Sequence, residues 1–282
     1  MKPFLGVIAF VLIAVHSLHA QSAPANIPDC AVTESIDLDR DGLSDACELA
    51  LARAFSPVLV VRSDGCNWSA DNARLAGAYY FAVQPVDSLV RIAYLPAYFR
   101  DCGWSGIKCW LPWLDCSPHN GDSEFIVVET RRDAATSHWS ASRVFLSAHC
   151  FGRSSASCRW YNASELGGFE WSGSSPVIWV AEGRNANYPS RQRCDQGHHS
   201  IDTCDHNVTR YPFPVDPARN LGSKAAPVTV DGCITGAELG TPGVDAKSVE
   251  CMWRPNALFR GWQSDGRGVT GYWRYLSEIA EF

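Results

Sequence analysis

The sequence predicts a mainly β fold: an antiparallel β-sandwich, stapled by disulfides, with a short acidic loop and one helix ahead of it. Three observations carry that reading. From Pro57 onward, runs rich in β-branched and aromatic residues recur between Gly, Pro, Asn and Asp, with no long helical period among them. Repeated hairpins without βαβ crossovers favour sheets packed face to face. The 12 cysteines form an even set, which allows up to six disulfides in an oxidising compartment.

Residues 1–20 read as a secretory signal: Lys2, the apolar run from Phe4 to Val15, then a small-residue exit near Ala20. Ala23 and Ala25 are alternative cleavage points. The run is too short to span a bilayer, and no later stretch of about 20 apolar residues appears. The chain is therefore expected to be secreted, extracellular or periplasmic, with no transmembrane segment. Removing the leader leaves about 260 residues and shifts the net charge from −6 to about −7, which argues against a nucleic-acid partner. A zinc site lacks support because no CxxC pair is present. Asn67-Trp-Ser, Asn162-Ala-Ser and Asn207-Val-Thr match the glycosylation acceptor pattern.

The first element is the acidic stretch DLDRDGLSDACE, Asp37 to Glu48. Asp37, Asp39 and Asp41 take positions 1, 3 and 5 of a calcium loop, Gly42 position 6, Asp45 position 9 and Glu48 position 12. Leu43 would supply a backbone carbonyl at position 7. Alternating acids suit Ca2+ because it takes six to eight oxygen ligands, and Gly42 permits the sharp reversal. The alternative is a solvated acidic loop in which Asp45 and Glu48 cap the next helix. Cys47, Leu51, Ala54 and Phe55 keep helical spacing, and the helix stops before Ser56-Pro57. Only this exiting helix is evident, so a paired EF-hand is not expected. Residues 21–56 are read as a calcium-binding loop and helix with a structural role, stapled by Cys30 to Cys47.

Residues 57–282 are read as the sandwich, loop-rich at its C-terminal end. Predicted strands cover 57–61, 78–83, 89–99, 124–130, 143–149 and 176–183. Residues 116–130, CSPHNGDSEFIVVET, carry the main chemistry. The strand from Glu124 to Thr130 is preceded by a polar loop bearing His119 and Asp122. Alternation along an extended chain sets Asp122 and Glu124 on one side, roughly 7 Å apart. That gap suits two carboxylates closing on a hard divalent cation (Ca2+, Mg2+ or Mn2+), with the His119 imidazole alongside and Asp115 as a further oxygen ligand. The alternative is an ordinary polar approach to a strand.

His149 ends a predicted strand and is a candidate acid or base near that ion, or a structural histidine. Cys194 to His206 holds three histidines and three aspartates between and beside two cysteines, read as a disulfide-closed polar loop or a second metal site. Trp104, Trp110 and Trp113, in the cysteine-rich loop before the cation loop, either form a minicore or touch a membrane interface or sugar rings. No GxSxG motif supports a serine hydrolase.

Two resemblances bear on these residues. DLDRDGLSDAC resembles the calcium loops of thrombospondin type 3 repeats. HNGDSEFIVVE resembles the His-x-Gly-Asp-x-Glu segment of proteins related to vacuolar protein sorting-associated protein 62, as do YLPAYF (94–99), VFLSAHC (144–150) and VAEGRNANYPS (180–190). More distantly it is similar to the metal-binding heptapeptide of necrosis- and ethylene-inducing-like toxins, through His119, Asp122 and Glu124. Asn120, Gly121 and Ser123 differ from the basic, histidine and tryptophan positions of that heptapeptide, and Asp115 stands in for its more distant upstream ligand. The toxin resemblance implies a β-sandwich with a divalent cation at a surface cleft, contacting sphingolipid head groups. The expected partners are a glycan, a glycolipid or another cell-surface ligand, with peripheral membrane contact. A metal-dependent hydrolase using the same ion to activate water is the alternative.

Overall fold

Ser44 sets the start of the first helix. Its Oγ accepts the Cys47 amide at 3.2 Å and caps α1, Asp45–Ala54. Asp45 and Glu48 lie in the first turn and Arg53 in the last, the order that suits the helix dipole. The helix ends at Phe55, before Pro57, as its spacing predicts. The computed structural model describes residues 23, 25, 27, 30, 36–65, 67–69, 74–75, 77–103, 119–148, 150, 158–197, 202–204, 207–223 and 280–282. The leader expected over residues 1–20 lies outside them.

Beyond α1 the described chain is strands: β1 (Val58–Arg62), β2 (Trp68–Ser69), β3 (Arg74–Leu75), β4 (Gly77–Val86), β5 (Leu89–Asp101), β6 (His119–Ser123), β7 (Ile126–Arg132), β8 (Trp139–Leu146), β9 (Arg159–Tyr161), β10 (Glu170–Ser172), β11 (Ser175–Val180), β12 (Asn187–Tyr188) and β13 (Val208–Pro212). A five-residue helix, α2, spans Arg191–Asp195. One sheet runs β4-β5-β7-β8-β9, with β6 also on β5, and all its pairs are antiparallel. The other runs β10-β11-β1-β13, with β12 on β11. One pair in this second sheet departs from the antiparallel pattern. β1 lies parallel to β11, with Leu59 opposite Ile178, so this sheet is mixed. The two strands are far apart in sequence, and no hairpin signal announces such a pair.

The hydrophobic core brings together side chains of both sheets. Leu59, Val61 and Ile178 share it with Phe81, Ile92, Tyr94, Ile126 and Val144. Leu51 of α1 and Phe55 at its C-terminal cap, both 0% exposed, belong to the same core, so the helix closes the sandwich rather than standing apart from it. Tyr94 Oη donates to the Ala52 carbonyl at 2.8 Å and ties β5 to the helix. Phe213, just past β13, packs edge-on against Tyr94 and Tyr79, each at 5.3 Å.

On the other face of the antiparallel sheet, Glu129 of β7 is buried between two arginines. Arg91 Nε donates to it at 3.1 Å, and Arg143 at 3.0 and 2.6 Å. Burial alone would raise the Glu129 pKa, but these bonds and one from Ser142 outweigh it and bring it down to about 2.

Disulfides join Cys30 to Cys47, Cys150 to Cys158 and Cys194 to Cys204. The first is the staple the sequence suggests between the segment before the acidic loop and the helix. Among the described residues no helix is long and apolar enough to cross a membrane.

Candidate metal centre

Loop 36–44 folds back on the start of α1 through its own acids. Asp37 accepts the amides of Asp41 at 3.3 Å and Gly42 at 3.2 Å. Asp41 accepts the Leu43 amide at 2.8 Å, and Asp45 the Leu38 amide at 3.0 Å. Gly42 has φ 98°, the left-handed region that a side chain would resist, and it turns the chain between Asp41 and Leu43. The reversal brings ligand oxygens of Asp37, Asp39 and Asp41 within 4.8 Å of one another.

Four of the oxygens of these acids lack a donor. Asp39 is 3% exposed and Glu48 1%. Both carboxylate oxygens of Asp39, Oδ2 of Asp41 and Oε1 of Glu48 are buried without a hydrogen-bond partner. Burial raises the Asp39 pKa, and Asp37 adds to the rise. Burial, with the neighbouring charges of Asp39 and Asp37, lifts Asp41 to about 6. Glu48 is pushed up to about 9, first by burial and then by the charges of Asp39 and Asp41. Desolvated like charges without donors are costly in a folded protein, and a cation at their focus reverses the penalty. The donors are all oxygens, which fits Ca2+ and not a soft metal. The acids therefore suit the group the loop pattern implies.

The structure brings Asp37, Asp39 and Asp41 together and sets Asp45 and Glu48 on the adjoining turn of α1. Asp45 and Glu48 also line one cleft with Asp39. Asn220 belongs to this neighbourhood as well, since its Nδ2 donates to Glu48 Oε2 at 2.9 Å. It lies 172 residues from Glu48 in the chain, and nothing local marks it in the sequence.

The second candidate lies at the end of the antiparallel sheet. The polar run expected to be a loop is itself a strand, β6, with His119 opposite Asp101 and Asp122 opposite Tyr98 on β5. The register is the same on both sides of a short break, with Ser123 opposite Ala97 and Ile126 opposite Tyr94. Pro96, which has no amide proton to give, thus falls opposite Glu124, where the ladder lapses. At the break the Phe125 amide donates to Ser147 Oγ at 2.6 Å, and Ser147 donates to the Glu124 carboxylate. Glu124 is 4% exposed. The side chains of His119 and Asp122 lie outside what is described, as do Asp115, His149 and the tryptophans of the 104–113 loop.

Within the run from Cys194, Asp195 Oδ1 accepts the Cys204 amide at 2.9 Å, and Asp202 accepts from Tyr188 Oη at 2.5 Å. These bonds describe a disulfide-closed polar loop, while His198, His199 and His206 lie outside the described residues. Of the glycosylation patterns, Asn67 is 4% exposed with its Nδ2 on Asn185 Oδ1 at 3.1 Å, so in the folded state it is shielded. Asn162 and Asn207 are exposed.

No family model matches the chain, and no curated protein matches it. Neither comparison supports the resemblance of HNGDSEFIVVE to the vacuolar-sorting-62-related proteins. Among solved structures the chain is similar to "Toxin fold for microbial attack and plant defense", with TM-score 0.34 and 14% identity over 74% of this chain and 82% of that one. It is also similar to "NLPPya in complex with glucosamine", with TM-score 0.32 and 17% identity over 71% of this chain and 82% of that one. Both likenesses are remote.

Proposed function

We propose that the chain is a secreted, calcium-stabilised β-sandwich protein that binds a ligand on a surface, toxin-like or lectin-like in class. In this reading Asp37, Asp39, Asp41, Asp45, Glu48 and the Leu43 carbonyl hold one Ca2+, and residues 21–56 form a loop-and-helix unit seated on the sandwich of 57–282. The observation that carries the calcium site is the set of buried, partnerless oxygens on Asp39, Asp41 and Glu48. Calcium supplies positive charge at their focus and so fixes the loop to the helix.

The ligand-binding role belongs to the second site. His119, Asp122 and Glu124, with Asp115, would hold a divalent cation (Ca2+, Mg2+ or Mn2+) and present it to an anionic or sugar-bearing group. Two features support this: the sheet ends on β6 beside a buried Glu124, and Ser147 fixes the orientation of that carboxylate. Such a cation recognises ligands by charge and oxygen coordination, and the site names no nucleophile. The test pairs metal analysis with binding to glycosylated or anionic-lipid vesicles, wild type beside Asp122→Ala. The reading expects the variant to lose one metal equivalent and its vesicle binding while calcium at the N-terminal loop remains. Equal metal content and equal binding would refute the second site.

A further inference from the structure

The acids of loop 36–48 are roofed by a segment from far along the chain. Asp216 Oδ1 accepts the Ala218 amide at 2.9 Å and opens a short 3-10 turn, Pro217–Arg219. Arg219 lies over the Tyr80 ring, 5.2 Å from its centroid, and donates to Tyr80 Oη at 3.0 Å. The Leu221 amide donates to the Phe81 carbonyl at 2.8 Å, so the segment is laid along β4. Asn220 uses both ends of its amide. Nδ2 donates to Glu48 Oε2 at 2.9 Å, and Oδ1 accepts the Gly222 amide at 3.1 Å. Ser223 is 0% exposed. Its hydroxyl and backbone lie beside the Asp39 carboxylate. Pro217, Asn220 and Gly222 form one wall of a cleft of about 240 Å³, and Asp39, Asp45 and Glu48 form another.

We infer that the cation of the N-terminal loop is a latch for segment 216–223, with Asn220 and Ser223 as positioning residues for Glu48 and Asp39. The inference rests on the calcium reading of the loop and extends it from a local site to a clamp between distant parts of the chain. Without a cation, the acids that seat the segment lie buried beside one another with no balancing positive charge, and Asn220 holds a glutamate whose second oxygen has no partner. With one, the acids are drawn together and Glu48 is fixed for Asn220. Ion binding and docking of the segment therefore strengthen each other by the same factor. The groups act like the outer shell of other metal sites, which orient the ligands without touching the ion.

The test is hydrogen exchange on the full chain with and without calcium, beside calorimetric titration of calcium into wild type, Asn220→Ala and Ser223→Ala. The latch predicts that exchange over 216–223, including the Leu221 amide, slows roughly tenfold or more with calcium, while β7 and β8 do not change. It also predicts that Asn220→Ala weakens calcium binding by roughly tenfold or more, the effect of removing an outer-shell partner, with Ser223→Ala shifting affinity the same way. Calcium uptake with unchanged exchange over 216–223, and with both variants within about twofold of wild type, would overturn the latch and leave the loop site standing. No calcium uptake by the wild type would overturn both.

Discussion

At the scale of single residues, buried acids fall into two environments, one with oxygens that no donor reaches and one with many donors. Asp39 and Glu48 carry partnerless oxygens, whereas Glu129 takes bonds from Arg91, Ser142 and Arg143. The two environments predict opposite responses to neutralisation. Asp39→Asn with Glu48→Gln removes groups whose ionised form burial penalises, so the ion-free protein should melt higher than ion-free wild type. The same variant should no longer gain stability from calcium. Wild type in calcium at about 100 times its dissociation constant should gain about 2.7 kcal/mol. Thermal melts of both proteins in chelator and in calcium check this pair of outcomes. Glu129 predicts a pH dependence. Its folded pKa of about 2 lies below the ordinary value of 4.5, so its stabilisation is present above the unfolded pKa. It fades as pH falls from about 5 to 2. The full contribution is about 3 kcal/mol. Denaturant unfolding of wild type and Glu129→Gln at pH 6 and pH 3 should show a gap that narrows by more than half at the lower pH. A third residue, Gly197, has no room for a side chain, because an added Cβ would lie 2.2 Å from Tyr188 Oη. Gly197→Ala should displace Tyr188 from Asp202 and cost about 1–3 kcal/mol in the same assay.

At the scale of elements, the sequence was most legible where a local rule decides the structure. The 3.6-residue spacing through Cys47, Leu51 and Phe55 and the stop before Pro57 place α1, and runs such as LVRIAYLPAYF place the long strands. The acid alternation with Gly42 likewise marks the loop before the helix. Legibility fails where the deciding partner is distant. The polar residues HNGDS carry no β pattern, yet β5 runs on past Pro96 and offers an edge on which they pair as β6. Strand β13, with its exposed Val208, is likewise made by pairing with β1. The parallel contact of β1 with β11 has no signature at all. One element-scale prediction follows from the helix seat. Tyr94→Phe removes the bond to the Ala52 carbonyl inside the core and should destabilise the protein by about 1–2 kcal/mol, measured by chemical denaturation. A change below about 0.3 kcal/mol would mean that apolar packing alone seats α1.

At the scale of the whole molecule, the described structure is a sandwich whose N-terminal helix plugs one side of the core and whose late segment 216–223 returns to cover the acid loop. The sequence shows five acids and a glycine in order. The fold adds what the sequence cannot show: that three of those acids carry buried oxygens without donors, and that Asn220 and Ser223 close over them. On the proposed reading, the second flank of the site comes from tertiary structure and not from an entering helix. The cation would thereby join three parts of the chain, the loop, α1 and the late segment, in addition to the Cys30–Cys47 bridge.

The most direct test of the proposed calcium site is the metal content of the protein after calcium loading and desalting, measured by elemental mass spectrometry beside Asp39→Asn/Glu48→Gln. The account predicts one calcium equivalent fewer in the variant than in wild type, with the fold retained by circular dichroism. Equal calcium in the two proteins, or none in either, would contradict it.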